Sequence, residues 1–143
     1  MGTLAATATL AWRGQHGRIE GSSGALSVPT ATQSELGGPG GASNPEELFA
    51  AALANCFTST LTGLARSRGI ELGGIETRVA VELAWGDGEG HHLADARLHV
   101  GVESPAPADD VRELIADAER HCPVCRAISG QVPLEVTATL SGS

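Results

Sequence analysis

The period of apolar and polar positions changes several times along the chain, and each change marks an element. Residues 3–12 alternate loosely, as a half-buried strand does. Gly14 and Gly17 punctuate a turn, and Arg18 to Ser27 supplies a second and a third strand around the hairpin turn Gly21-Ser22-Ser23-Gly24. Ser34 to Ser43 holds four glycines and one proline and reads as a loop. The pattern then turns helical. Ser43 or Asn44 caps the helix, Pro45 suits its first position, and Glu46 and Glu47 complement the positive end of its dipole. The helix runs to about Arg68 and stops at Gly69. Small and apolar residues cover nearly its whole circumference from Leu48 to Phe57, which predicts a buried helix in the core or in a dimer interface.

Two strands follow, Ile75–Trp85 and Leu93–Val102, around a glycine-rich hairpin loop at Gly86–Gly90. Pro105 and Pro107 end that pattern. Asp109 caps a second helix with Val111, Leu114, Ile115 and Ala118 on one face, Cys122-Pro123-Val124-Cys125 comes directly after it, and Val132–Leu140 closes the chain as a strand. The order β-β-β-α-β-β-α-β, without an internal repeat, is an α+β pattern. A length of 143 residues suits one domain over 1–143.

Composition narrows the function classes. A net charge of −8, with every basic residue an arginine, shows no basic patch for nucleic acid. Aromatics at 3%, with no tyrosine, argue against base or sugar stacking. The N-terminus lacks a basic signal-peptide region, and the apolar run Leu48–Ala54 is too short for a bilayer, so the expected compartment is the cytoplasm, without membrane contact. Thiols stay reduced there, and three cysteines do not make a disulfide framework.

The chemistry therefore centres on those cysteines. Cys56 reads either as a small buried hydrophobe or as a reactive thiol. Cys122 and Cys125 form a C-x-x-C that is open to three readings: a dithiol pair, a zinc site with His121 and Cys56, or an oxidisable couple between Cys56 and one of the two. His16, His91 and His92 lie in or beside turns, and His99 falls out of phase with Leu98 and Val100 and should face solvent or a partner. No P-loop, dinucleotide fingerprint or nucleophile elbow is present, so no cofactor is expected.

Three stretches together resemble the OsmC/Ohr family of cysteine-based hydroperoxide reductases. They are Asn44-Pro-Glu-Glu-Leu-Phe-Ala-Ala-Ala-Leu-Ala-Asn-Cys56-Phe57, His121-Cys122-Pro-Val-Cys125, and the opening Ala11–Gly14 with Gly37-Gly38 and Gly40-Gly41 before the helix. The resemblance implies antiparallel sheets around a long central buried helix in an intertwined homodimer. It implies Cys56 as the peroxidatic thiol, Cys122 as the resolving one, and a disulfide between them in each cycle. Glu46 matches the acid that holds an arginine near the reactive thiolate. Substrates would be small organic hydroperoxides, with hydrogen peroxide used in one branch, and the reductant a dithiol or lipoyl-type donor.

The chain departs from that pattern twice. Cys125 stands where the family usually has serine, either as a competing resolving thiol or as an isostere. Gln15 stands where the activating arginine is expected, leaving Arg18, or after it Arg13, to serve. A free thiol is only a few per cent ionised at neutral pH, and Cys56 lies well inside its helix, so its activation needs a cation. Leu48, Leu53, Phe57 and Leu61 would surround it with an apolar wall suited to an alkyl hydroperoxide. Two alternatives of other classes stand beside the peroxidase: a redox-sensing or ligand-binding member of the fold without fast turnover, and a zinc-binding module of Cys56, Cys122, Cys125 and His121.

Overall fold

The computed structural model divides the chain into two compact units, Met1–Leu48 and Phe49–Ser143. It describes residues 2–86 and 88–142. Met1, Ser143, the side chain of Glu89, and Asp87 at the tip of the expected Gly86–Gly90 loop lie outside the described residues.

The first unit is an antiparallel sheet of β1 (Ala8–Arg13), β2 (His16–Gly21) and β3 (Ser27–Ala31). Gly14 takes a φ of 66° at the first position of a two-residue turn, the conformation that joins twisted strands tightly. The chain re-enters the sheet at His16, so Gly17 is a strand residue and not part of the turn. It pairs with Trp12, and a Cβ there would meet the Trp12 ring and the Leu10 side chain at 2.7 Å. The face that carries Leu10 and Trp12 is not sealed: Leu10 is 51% and Trp12 47% exposed.

After β3 the chain passes through one turn of 3-10 helix (Ser34–Leu36) and the glycine-rich loop, which is tied at its base. Ala31 N–H donates to Ser43 O at 3.0 Å, and Ser43 N–H to Pro29 O at 3.1 Å. A Cβ at Gly38 would lie 2.2 Å from Thr32 O, so the close approach admits only glycine. The loop delivers Asn44 to the start of helix α1 (Pro45–Arg68), where its Oδ1 accepts from the Glu47 N–H at 2.8 Å. At the other end Gly69, at φ 67°, and the bond from Ile70 N–H to Ala65 O at 2.9 Å close the helix.

The second unit holds most of α1, the sheet β4 (Ile75–Gly86), β5 (Glu89–Glu103) and β6 (Leu134–Ser141), and helices α2 (Ala108–His121) and α3 (Pro123–Ile128). β4 and β5 are antiparallel, whereas β5 and β6 are parallel. Antiparallel pairing thus describes one and a half of the two sheets. The chain leaves β5, crosses through two helices, and comes back along the same direction, which a hairpin could not do. α2 starts at Ala108, one residue before the expected cap. Asp109 is a first-turn acid that pairs with Arg112 at 3.1 Å.

β5 alternates cleanly. Ala96, Leu98, Val100 and Val102 are buried, while Arg97, His99 and Glu103 face outward. As its phase requires, His99 is exposed, with both ring nitrogens bonded to the Thr137 and Thr139 hydroxyls at 2.8 and 3.0 Å. Against the inner face lie Val111, Leu114, Ile115 and Ala118 of α2 and one stripe of α1, Leu53, Phe57, Leu61 and Ala65. Asp117 joins the two helices: its carboxylate accepts from Arg68 at 2.6 Å and also from Arg120.

α1 is therefore buried along one stripe only, and its other positions are half-buried or exposed in this chain. Its 24 residues also reach the length and apolar average that a bilayer span takes, because alanine, glycine and threonine dilute few charges. The stretch Leu48–Ala54, judged alone, hides this. The stripe itself packs in the core of the unit.

Phe57 has no exposed surface. Phe57→Ala is expected to lower the unfolding free energy by about 3–5 kcal/mol, whereas Arg112→Ala, which removes an exposed pair, should change it by less than about 1 kcal/mol. Urea titrations of both variants check this, and comparable losses would contradict the packing described.

Candidate active site

Helix geometry decides where Cys56 points. At about 100° per residue it flanks the buried stripe, between Leu53 and Phe57, and it is partly buried against the core. Thr60 follows one turn later, with its hydroxyl 2.8 Å from the Cys56 carbonyl and within reach of the sulfur. Leu53, Phe57 and Leu61 show no exposed surface, so they are core and not the wall of an open pocket. Their spacing of four residues turns them inward together.

The second cysteine comes from the junction of α2 and α3. Cys122 ends α2, its N–H donating to Ala118 O at 2.8 Å, and begins α3 with an extended backbone. Pro123 occupies the first helical position. The next two N–H groups have no partner within so short a helix, and both are directed at sulfur. Val124 N–H faces Cys56, and Cys125 N–H donates to Cys122 Sγ at 3.4 Å. Cys122 is fully buried, Cys125 nearly so, and all three cysteines are free thiols.

Burial pushes the Cys56 thiol above its ordinary value, and the neighbouring Cys122 thiol pushes the same way; the nearby Val124 N–H opposes them, as does the Thr60 hydroxyl when it turns to the sulfur from the Cys56 carbonyl, to which it donates here. All these groups belong to the second unit, and no cation is among them. Burial also raises Cys125, with Cys122 adding to it.

The remaining expected site residues have other contacts. Glu46, in the first turn of α1, accepts from Gln33, the residue before the 3-10 turn. Ten residues separate it from Cys56 on one helix, roughly 15 Å along the axis. Arg18, on β2, donates to Ser27 Oγ at 3.2 Å. His121 lies on α2, Nδ1 against Asp117 O at 2.8 Å. Among the described residues no three His, Cys, Asp or Glu side chains group to hold a metal ion, so the zinc-module alternative finds no geometric support. Thr60 and Val124 went unseen in the sequence. A hydroxyl at i+4 from a cysteine was the available signal for the first; the second acts through its backbone, which has no residue-type signature.

Residues 38–137 match the OsmC-like protein family. An organic hydroperoxide resistance protein of Xanthomonas axonopodis pv. citri is 34% identical over 97% of this chain and 94% of its own. The chain belongs to the OsmC-like family. The uncharacterised protein YmaD of Bacillus subtilis is 31% identical over 90% of this chain and 87% of its own. A crystal structure of an organic hydroperoxide resistance protein from Legionella pneumophila superposes with a TM-score of 0.84 at 31% identity, covering 97% of this chain and 99% of that one. The α+β fold expected of an OsmC-like chain is thereby established.

Because the Thr60 hydroxyl can turn from the Cys56 carbonyl to the adjacent thiolate, Thr60→Val should move the pH midpoint of Cys56 alkylation upward, and Thr60→Ser should restore it. Iodoacetamide rates of the two variants against pH, followed by peptide mapping, decide this. A midpoint unmoved by Thr60→Val would remove Thr60 from the site.

Proposed function

We propose that this OsmC-like chain is a cysteine-based thiol peroxidase that reduces small organic hydroperoxides, with hydrogen peroxide as a second substrate, at Cys56. The observation that carries the reading is the apposition of a partly exposed thiol, Cys56, and a buried one, Cys122, across α1 and the α2–α3 junction. The Cys56 thiolate attacks one oxygen of the hydroperoxide, the O–O bond breaks, and the alkoxide leaves as the alcohol after taking a proton. Cys56 is then a sulfenic acid. The Cys122 sulfur displaces its hydroxyl as water and forms a Cys56–Cys122 disulfide. A dithiol or lipoyl-type donor returns both thiols through mixed-disulfide exchange.

Burial opposes ionisation of Cys56, so the reading requires a positive charge, which none of the groups acting on Cys56 within this chain supplies. Arg18 is proposed to supply it, with Glu46 as the acid that holds the arginine in place. Their setting is proposed to be a homodimer. Two features support this: a first sheet with the large apolar residues Leu10 and Trp12 exposed together on one face, and a central helix covered along one stripe. With roughly 15 Å between Glu46 and Cys56 on one helix, Glu46 is assigned to the Cys56 of a partner chain. The raised Cys56 thiol favours a second reading, a redox-sensing or ligand-binding protein without fast turnover. Turnover separates the two.

Cys56→Ser is expected to abolish consumption of cumene hydroperoxide with a dithiol donor, while Cys122→Ser consumes one equivalent and stops, leaving a dimedone-reactive Cys56. Steady-state and single-turnover assays measure both. Undiminished consumption by Cys56→Ser would sink the peroxidase reading, and wild-type turnover no faster than the free dithiol would favour the sensor.

The composite site has its own test. Cys56→Ser and Glu46→Ala, each impaired alone, should regain up to about a quarter of wild-type activity when dissociated and reassociated together, since half the dimers are mixed and each then holds one complete site. Sedimentation of the wild type as a monomer, or no recovery on mixing, contradicts the shared site.

A further inference from the structure

The cycle above leaves one buried nucleophile idle. Cys125 lies three residues after Cys122 in the first turn of α3, with its N–H on Cys122 Sγ at 3.4 Å. Side chains three apart on a helical turn start roughly 5–6 Å apart at Cβ, somewhat beyond the roughly 3.5–4.5 Å of a disulfide. Cys122 is the cap residue, with an extended and not a helical backbone, so a modest rotation there closes the difference. Cys122 thus has two thiol neighbours, Cys56 on α1 and Cys125 on α3, and it is the one fully buried member of the three.

We propose that Cys125 is a second resolving thiol, which takes the bridge over from Cys56 so that the oxidised protein rests with a Cys122–Cys125 disulfide and a free Cys56. The proposal rests on the Cys56–Cys122 cycle described above. The Cys125 sulfur, giving up its proton, attacks Cys122 Sγ in the Cys56–Cys122 disulfide. A Cys122–Cys125 bond forms, the Cys56–Cys122 bond breaks, and Cys56 leaves as the thiolate that recovers that proton. One disulfide and one thiol stand on each side, so the step needs no outside oxidant or reductant. Its direction follows from what awaits each sulfur. A released Cys56 thiolate is partly exposed and lies near the Val124 N–H and the Thr60 hydroxyl, which can turn to it from the Cys56 carbonyl, whereas Cys125 sits in the core, where a thiolate is penalised by burial. Exchange runs toward the better-stabilised leaving thiolate. The relay parks the oxidising equivalents in the core and returns the most accessible of the three thiols to receive a second hydroperoxide.

Trypsin makes the two bridges distinguishable, because cleavage after Arg18, Arg66, Arg120 and Arg126 leaves Cys56 in peptide 19–66 and both other cysteines in peptide 121–126. Full-length wild type, Cys125→Ser and Cys56→Ser are each given one equivalent of cumene hydroperoxide, quenched in acid at successive times, alkylated and mapped. Wild type should first show the cross-link between the two peptides, then lose it as peptide 121–126 gains an internal bridge and Cys56 becomes alkylated. Cys125→Ser should stop at the cross-link. A cross-link that persists in wild type as it does in Cys125→Ser overturns the relay while leaving the cycle intact. An internal bridge that forms as fast in Cys56→Ser also overturns it, since Cys122 and Cys125 would then be oxidised directly. Absence of the cross-link in both wild type and Cys125→Ser overturns the cycle and the relay with it.

Discussion

The buried stripe Leu53, Phe57, Leu61 and Ala65 sets the rotation of α1 about its axis, and the chemistry of the second unit depends on that angle. A helix carries its side chains at fixed angular intervals, so once these four face β5 and α2, Cys56 must lie on the flank of the stripe with Thr60 one turn beyond. Arg68 on Asp117 holds the far end of the same helix against α2. The last residues of α2 then place Cys122 where Cys56 can meet it. Both thiols are positioned by rigid elements and a packed core, which suits a reaction that needs two sulfurs to approach.

The thiol proposed to react, Cys56, lies at the edge of a core and faces opposing demands. Apolar surroundings exclude water, but they penalise the thiolate that must attack. The second unit answers in part with a backbone N–H and a hydroxyl, neither of which carries a full charge. Glu46 and Arg18 bring the charged groups into the proposal. Their hydrogen-bond partners Gln33 and Ser27 are neutral side chains, and among the described residues neither forms an ion pair.

Much of this was legible in the residues. Helix α1 announced itself at both ends: Asn44, Pro45 and two acids at its start and Gly69 at its close are signals that act within a few residues. The alternation of β5 and the apolar face of α2 were equally local. Gly17 misled because glycine marks a turn and also a strand position over which a tryptophan lies, and only the paired strand distinguishes them. The parallel course of β6 was hidden because a strand's direction depends on the length of its connection and on where that connection packs.

The sequence by itself determined the elements other than α3 and the short 3-10 turn, the three cysteines and the family, since each is carried by residue types at short, fixed spacings. Only the tertiary structure decided that α1 is covered on one stripe, that Leu53, Phe57 and Leu61 are core and not pocket wall, and that the Val124 N–H comes near Cys56 from 68 positions further along the chain. Burial and hydrogen bonding between distant segments depend on how whole elements pack, and a backbone donor is the same in every residue but proline. No spacing of side chains could therefore have revealed it.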